Sequence, residues 1–163
     1  MFEKGDIVSY GTTGVCLISG YCVQKVRGEN RKYLVLKPVY SPNSTVYVPL
    51  DNEKLLSKLK SLMTFDEAHE LIDGFSDAET EWTESDAERS EEFGRILENG
   101  TRQELAHMVR SLYVHRSEQL SKGKHLRSAD EMFFRSGEKL LFEELAAALG
   151  TEPDKVLDII AGN

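Results

Sequence analysis

The chain lacks most of what would brace, metallate or embed it. Only two of its 163 residues are cysteine, Cys16 and Cys22, too few for a disulfide framework. No stretch approaches the roughly 18 consecutive apolar residues of a membrane span. The N-terminus, MFEKGDIVSY, has no signal-peptide core. A cytoplasmic protein with no membrane contact is expected. Positive charge is scarce as well, and the formal net charge is −8. Such a chain gains no general attraction to nucleic-acid phosphates. Any DNA contact must be local, or be delivered by a second partner. Tryptophan is nearly absent, with Trp82 standing alone.

What is present suits a soluble globular protein. Hydrophobic residues make up 40% and charged residues 29%. The length allows one compact domain or two small ones. The charge is unevenly spread. Residues 1–62 carry nine basic and five acidic residues, whereas residues 63–100 carry two and thirteen. From Glu79 to Glu92 the only basic residue is Arg89.

The hydrophobic period changes along the chain. Over residues 1–50 it is strand-like. DIVSY alternates, and GVCLISGYCVQKV is a long run whose Gly20 predicts a bulge or bend. RKYLVLKPVY and STVYVPL follow, separated by the turn-rich GTTG, VRGENR and SPNS. Four or five short antiparallel strands at this spacing predict a small barrel of SH3-like or Tudor-like proportions. Residues 51–62 read as a short helix or connector. Residues 63–163 read as an all-α domain of about four to five helices. Capping-box patterns mark the starts at Thr64–Glu67, Ser85–Glu88, Thr101–Glu104, Ser128–Glu131 and, more weakly, Thr151–Asp154. Gly100 and Gly150 stand where helices should stop, and Pro153 sits in a first turn. Two helical stripes are expected to be core. One is Leu105, Met108, Val109, Leu112 and Tyr113; the other is Met132, Phe133, Leu140, Leu141, Leu145 and Leu149. The fold class is therefore α+β.

Nothing resembles an active site, and no catalytic residue, metal or cofactor is expected. Cys16 and Cys22 lie six apart in a strand-like run and could share a face, but no second ligand pair accompanies them. Core packing is the reading for both. His107 and His115 lie eight apart on one predicted helix, too far to hold one ion without other ligands. They read as surface or boundary residues. GTTG does not sit between a strand and a helix, as a phosphate loop would. The acidic residues of 77–92 lack the calcium-loop pattern and read as a solvated helix face. That leaves Trp82. A lone Trp before a helix start is either a packed residue of the helix approach or an exposed wedge or interface anchor.

FEKGDIVSYGTTGV resembles the opening F-x-x-G-D-x-V-V-Y-P-x-x-G of the CarD/CdnL family of bacterial transcription regulators. KYLVLK and STVYVP resemble that family's two central strands, and RQELAHMVRSLY resembles one of its helices. A Trp opens the helical domain in both. The order and spacing of these motifs carry the resemblance across nearly the whole chain. It implies an N-terminal Tudor-like domain that binds the RNA polymerase β subunit, a domain type shared with the transcription-repair coupling factor. It also implies a helical domain whose Trp wedges into the DNA minor groove at the upstream edge of the promoter bubble and stabilises the open complex. On this resemblance Val46, Tyr47 and Val48, with Thr45, Pro49 and Gln24, are expected to bind polymerase by strand addition. Trp82, Arg89, Lys122, Lys124 and Arg127 are expected to touch DNA.

Two departures stand out. Relatives carry Arg where this chain has Tyr47. Relatives also follow the Trp with a basic cluster, where this chain has TESDAERSEEF. Aligned back from Leu97, Arg89 matches one basic position, while Glu88 and Glu91 replace two others; aligned forward from Trp82, Glu84, Ser85 and Asp86 replace them all. DNA binding without polymerase should therefore be very weak. Lys122, Lys124, His125 and Arg127, in SKGKHLR, are candidates to supply phosphate contacts; otherwise that segment is a solvated turn. The alternative is a polymerase-bound interaction module with no DNA contact, whose acidic helical domain recruits or blocks another protein. The partners that the resemblance implies are the β subunit and promoter DNA, and no small-molecule substrate is expected.

Overall fold

A computed structural model describes residues 2–76 and 79–162. The chain is α+β and divides into two compact units, Met1–Leu62 and Met63–Asn163. In the first unit lie β1 (Ile7–Tyr10), a 3-10 turn (Gly11–Thr13), β2 (Gly14–Val26), β3 (Glu29–Pro38), β4 (Val46–Pro49), a one-turn helix α1 (Glu53–Leu56) and β5 (Leu59–Ser61). The strands form one antiparallel sheet in the order β4-β3-β2-β1-β5. Among the described residues no ladder joins β4 to β5, so the backbone pairing of the expected barrel stays open at these two edges.

The β2–β3 hairpin turns at Arg27 and Gly28, both at positive φ (52° and 83°). Two such residues give the turn a twist that matches the flanking strands. The ladder slips between Ile18 and Gly20, the bulge that Gly20 predicts. The extra residue inverts the alternation of β2. Cys16 therefore lies in the core, fully buried. Cys22 sits opposite Tyr33, on the other face, and is half-buried. The two thiols do not share a face as the spacing suggests. The core is Val8, Tyr10, Cys16, Ile18, Leu34, Leu36 and Val48. Burying each of its large aliphatic side chains contributes about 1.5–3 kcal/mol.

Residues 51–62 are more than a connector. Leu59, Lys60 and Ser61 of β5 pair with Tyr10, Ser9 and Val8. A three-residue strand is too short to show a period. Its place is set by the neighbouring strand.

The second unit contains α2 (Phe65–Phe75), α3 (Asp86–Asn99), α4 (Arg102–Ser121), α5 (Ser128–Leu149), a 3-10 turn (Pro153–Lys155) and α6 (Val156–Ala161). Thr64 and Thr101 close full capping boxes with Glu67 and Glu104, and Ser85 caps α3 by accepting the Glu88 amide. The two later patterns do not cap. Ser128 is already the first residue of α5, after Arg127, so its hydroxyl lies past the capping position. Thr151 precedes only the 3-10 turn, which Glu152 leads without a side-chain bond.

Gly150 ends α5 in the left-handed conformation, as expected. Gly100 ends α3 in an extended one. A Cβ there would lie 2.6 Å from the Ile96 carbonyl oxygen. The two long helices α4 and α5 meet closely at Gly137, where a Cβ would fall 2.7 Å from Met108 Cε. Met108, Val109 and Leu112 of the first expected stripe are buried, but Tyr113 is exposed. In the second, Leu141 and Leu145 are buried, whereas Met132 is exposed and Phe134 takes the core position. No helix is long and apolar enough among the described residues to cross a membrane.

Candidate functional site

Two features of the separate units stand out. The first is the outer edge of β4. This strand pairs with β3 alone, through Val46↔Leu36, Tyr47↔Val35, Val48↔Leu34 and Pro49↔Tyr33. Among the described residues no strand pairs with its other edge, whose backbone groups are open to an added strand. Alternation divides its side chains. Val48 is buried and Val46 packs against the core, whereas Tyr47, on the opposite face, is 48% exposed. Of the six expected polymerase contacts, Val46 and Val48 thus offer backbone only.

Around Tyr47 the outer face is ordered. Tyr33 meets it edge to face, with ring centroids 6.3 Å apart. The Arg31 guanidinium lies 5.8 Å from the Tyr33 ring and bonds Asp51 through Nε and Nη2. That bond holds the Asp51 carboxyl below the ordinary carboxylate range. Gln24 is exposed and pairs with Arg31 across the hairpin, on the same face. Thr45 accepts from Lys37 Nζ at 3.0 Å. Tyr33 and Arg31 were not among the expected contacts. Their signal is the alternation within β3, which places them opposite the core residue Leu34.

The second feature is Trp82, in the irregular stretch before α3. Its indole stacks on the His115 ring of α4 at 3.7 Å, nearly parallel, and meets Phe93 edge to face at 6.3 Å. It is half-buried, with part of its surface left open. The guanidinium of Arg89 lies 4.5 Å from the indole centroid.

Arg89 does not reach toward a phosphate. It is 3% exposed. Its Nε and Nη2 bond the two oxygens of Asp130 at 3.0 and 2.7 Å. Nη2 also bonds Asp86 at 2.6 Å, and Nη1 donates to the Thr83 carbonyl at 2.7 Å. A bidentate, desolvated pair of this kind is strong and directional. Asp130 raises the guanidinium's affinity for its proton, and Arg89 lowers the Asp86 carboxyl below its usual range. Arg127 is drawn into the same cluster through Ser90, Asp130 and Asp86. Of the expected cationic DNA contacts only Arg89 is buried; Lys122, Lys124 and Arg127 are exposed, as is His125. Asp77, in the acidic run, lies outside the described residues.

The structure adds two cations that the sequence reading passed over. A groove of about 400 Å³ between the end of α4 and the start of α5 is lined by Arg116, Arg135, His125, Leu120 and Leu126. Arg116 and Arg135 both turn Nε to Glu131, at 3.5 and 3.3 Å. Among the described residues no three or more metal-ligating side chains gather.

Residues 2–60 match the family model of the CarD-like/TRCF RID domain. Over these residues the N-terminal unit is similar to this family. No curated protein sequence matches the chain significantly. The CarD-like/TRCF RID domain is an RNA polymerase-interacting domain, and its family is not one of enzymes. The match takes in all five strands up to Lys60, β5 included, and none of the helical unit.

Proposed function

We propose that the chain is a transcription regulator that docks on the RNA polymerase β subunit through β4. It prolongs the promoter open complex by presenting Trp82 to DNA at the upstream edge of the bubble. The observation that carries this reading is the unpaired β4 edge inside a CarD-like/TRCF RID domain. Strand addition draws its affinity from backbone bonds, with Tyr47 and its neighbours supplying specificity. Polymerase then provides the address. A weak DNA contact tethered to it acts at high effective concentration, so the net charge of −8 need not prevent it. A planar apolar group such as Trp82 can hold an unstacked base step apart. Lys122, Lys124 and the groove arginines Arg116 and Arg135 supply phosphate contacts in place of Arg89.

The half-buried packing of Trp82 and the inward-turned Arg89 favour a second reading. In it the helical unit binds another protein and never touches DNA. The lifetime of an open complex formed by the cognate polymerase separates the two. The protein should lengthen it, and Trp82→Ala should remove that gain with β-subunit binding unchanged. An unchanged lifetime, with binding confirmed in the same sample, selects the second reading.

A further inference from the structure

We propose that Arg89 is a positioning residue that fixes the orientation in which Trp82 is presented. The inference rests on the wedge reading given above. Residues 79–85 lie outside any helix or strand. An indole on such a segment would sample several rotamers, and ordering it on contact would weaken the contact. One guanidinium removes that freedom. Arg89 sits one turn into α3 and bonds the Thr83 carbonyl, in the residue that follows Trp82. The same side chain is bolted to Asp130 of α5, 41 residues further along the chain. Its Cζ lies 4.5 Å from the indole centroid, and the His115 ring completes the seat at 3.7 Å. Backbone and ring of the Trp82 segment are thus both referred to the helix scaffold through Arg89.

This gives a role to Asp86, one member of the acidic run that looks hostile to a DNA contact. A buried guanidinium needs carboxylates, and Asp130 and Asp86 supply them. They hold the cation inward, under the indole. Arg suits the task because its planar fork serves three partners at fixed angles. Lysine carries the charge without the fork.

The test uses the full chain with two variants. Arg89→Lys keeps the charge. The double variant Arg89→Met/Asp130→Leu replaces the buried pair by apolar volume. Trp82 is the only tryptophan, so its fluorescence reports on the seat alone. Both variants should keep the parent's helical circular dichroism and β-subunit affinity. Quenching of Trp82 by acrylamide should rise and its emission shift to the red. The open-complex lifetime should fall to that of Trp82→Ala. Folded variants with the parent's quenching would overturn the proposal. So would unfolding of both, which would make Arg89 a residue of the fold alone. If quenching rises while even Trp82→Ala leaves the lifetime unchanged, the wedge reading fails and the positioning role stands.

Discussion

The outer edge of β4 and the indole of Trp82 are built in different ways. The edge is a row of backbone groups that exists because β4 is the last strand of its sheet. Its hydrogen-bonding groups belong to the backbone and not to the side chains that face outward, Tyr47 among them. The indole depends on particular neighbours. His115, Phe93 and Arg89 surround it, and Arg89 in turn depends on Asp130 and Asp86. A binding surface made of backbone tolerates sequence change. One made of a seated side chain spreads its requirements over three helices.

The largest effect should come from the helical unit. Asp130→Ala leaves a buried guanidinium short of its bidentate partner, at a cost of about 3–5 kcal/mol. Calorimetry should show the helical unit melting early, with β-subunit binding retained at low temperature. Loss of that binding would break the comparison, because the β4 edge would then depend on the ion cluster. Next in size is Tyr47→Glu. An exposed aromatic at the centre of an interface contributes about 2 kcal/mol, so affinity for the β subunit should drop by more than about tenfold. The melting of the helical unit should not change. Unchanged affinity would show that the backbone edge works without its outer face, or that the interface lies elsewhere.

The smallest effect concerns Glu143, which is 5% exposed and has Lys139 Nζ at 3.5 Å. Burial pushes its carboxyl above the ordinary value, with Lys139 opposing. A raised acid favours the folded state at low pH, and that contribution is lost as pH rises through the folded value. Glu143→Gln should therefore raise the melting temperature at neutral pH, by about 1 kcal/mol or less of stability. The gain should shrink as the solution is acidified towards pH 4.5. A gain that does not depend on pH would mean that the charge is not the cause.

Much of the fold was legible because its signals are local. Alternation and turn residues marked β1 to β4, Gly20 marked the bulge, and Thr64, Ser85 and Thr101 marked three helix starts. Thr151 and Ser128 carried the same letters without the cap, since a capping pattern does not say which residue leads the helix. The face of Cys22 was misread for a related reason. One extra residue in β2 reverses every later side chain, and the spacing of two cysteines cannot register it.

The candidate site divides along the same line. The sequence by itself determined a strand through Val46, Tyr47 and Val48, and one tryptophan ahead of a capped helix. Period and capping are decided within a few residues, so they can be read from the chain. Only the tertiary structure decided that β4 ends the sheet, that β5 joins it, and that Arg89 turns inward. Whether a charge faces water or a partner depends on what packs against it. For Arg89 that partner is Asp130, 41 residues away in the chain and 2.7 Å away in space.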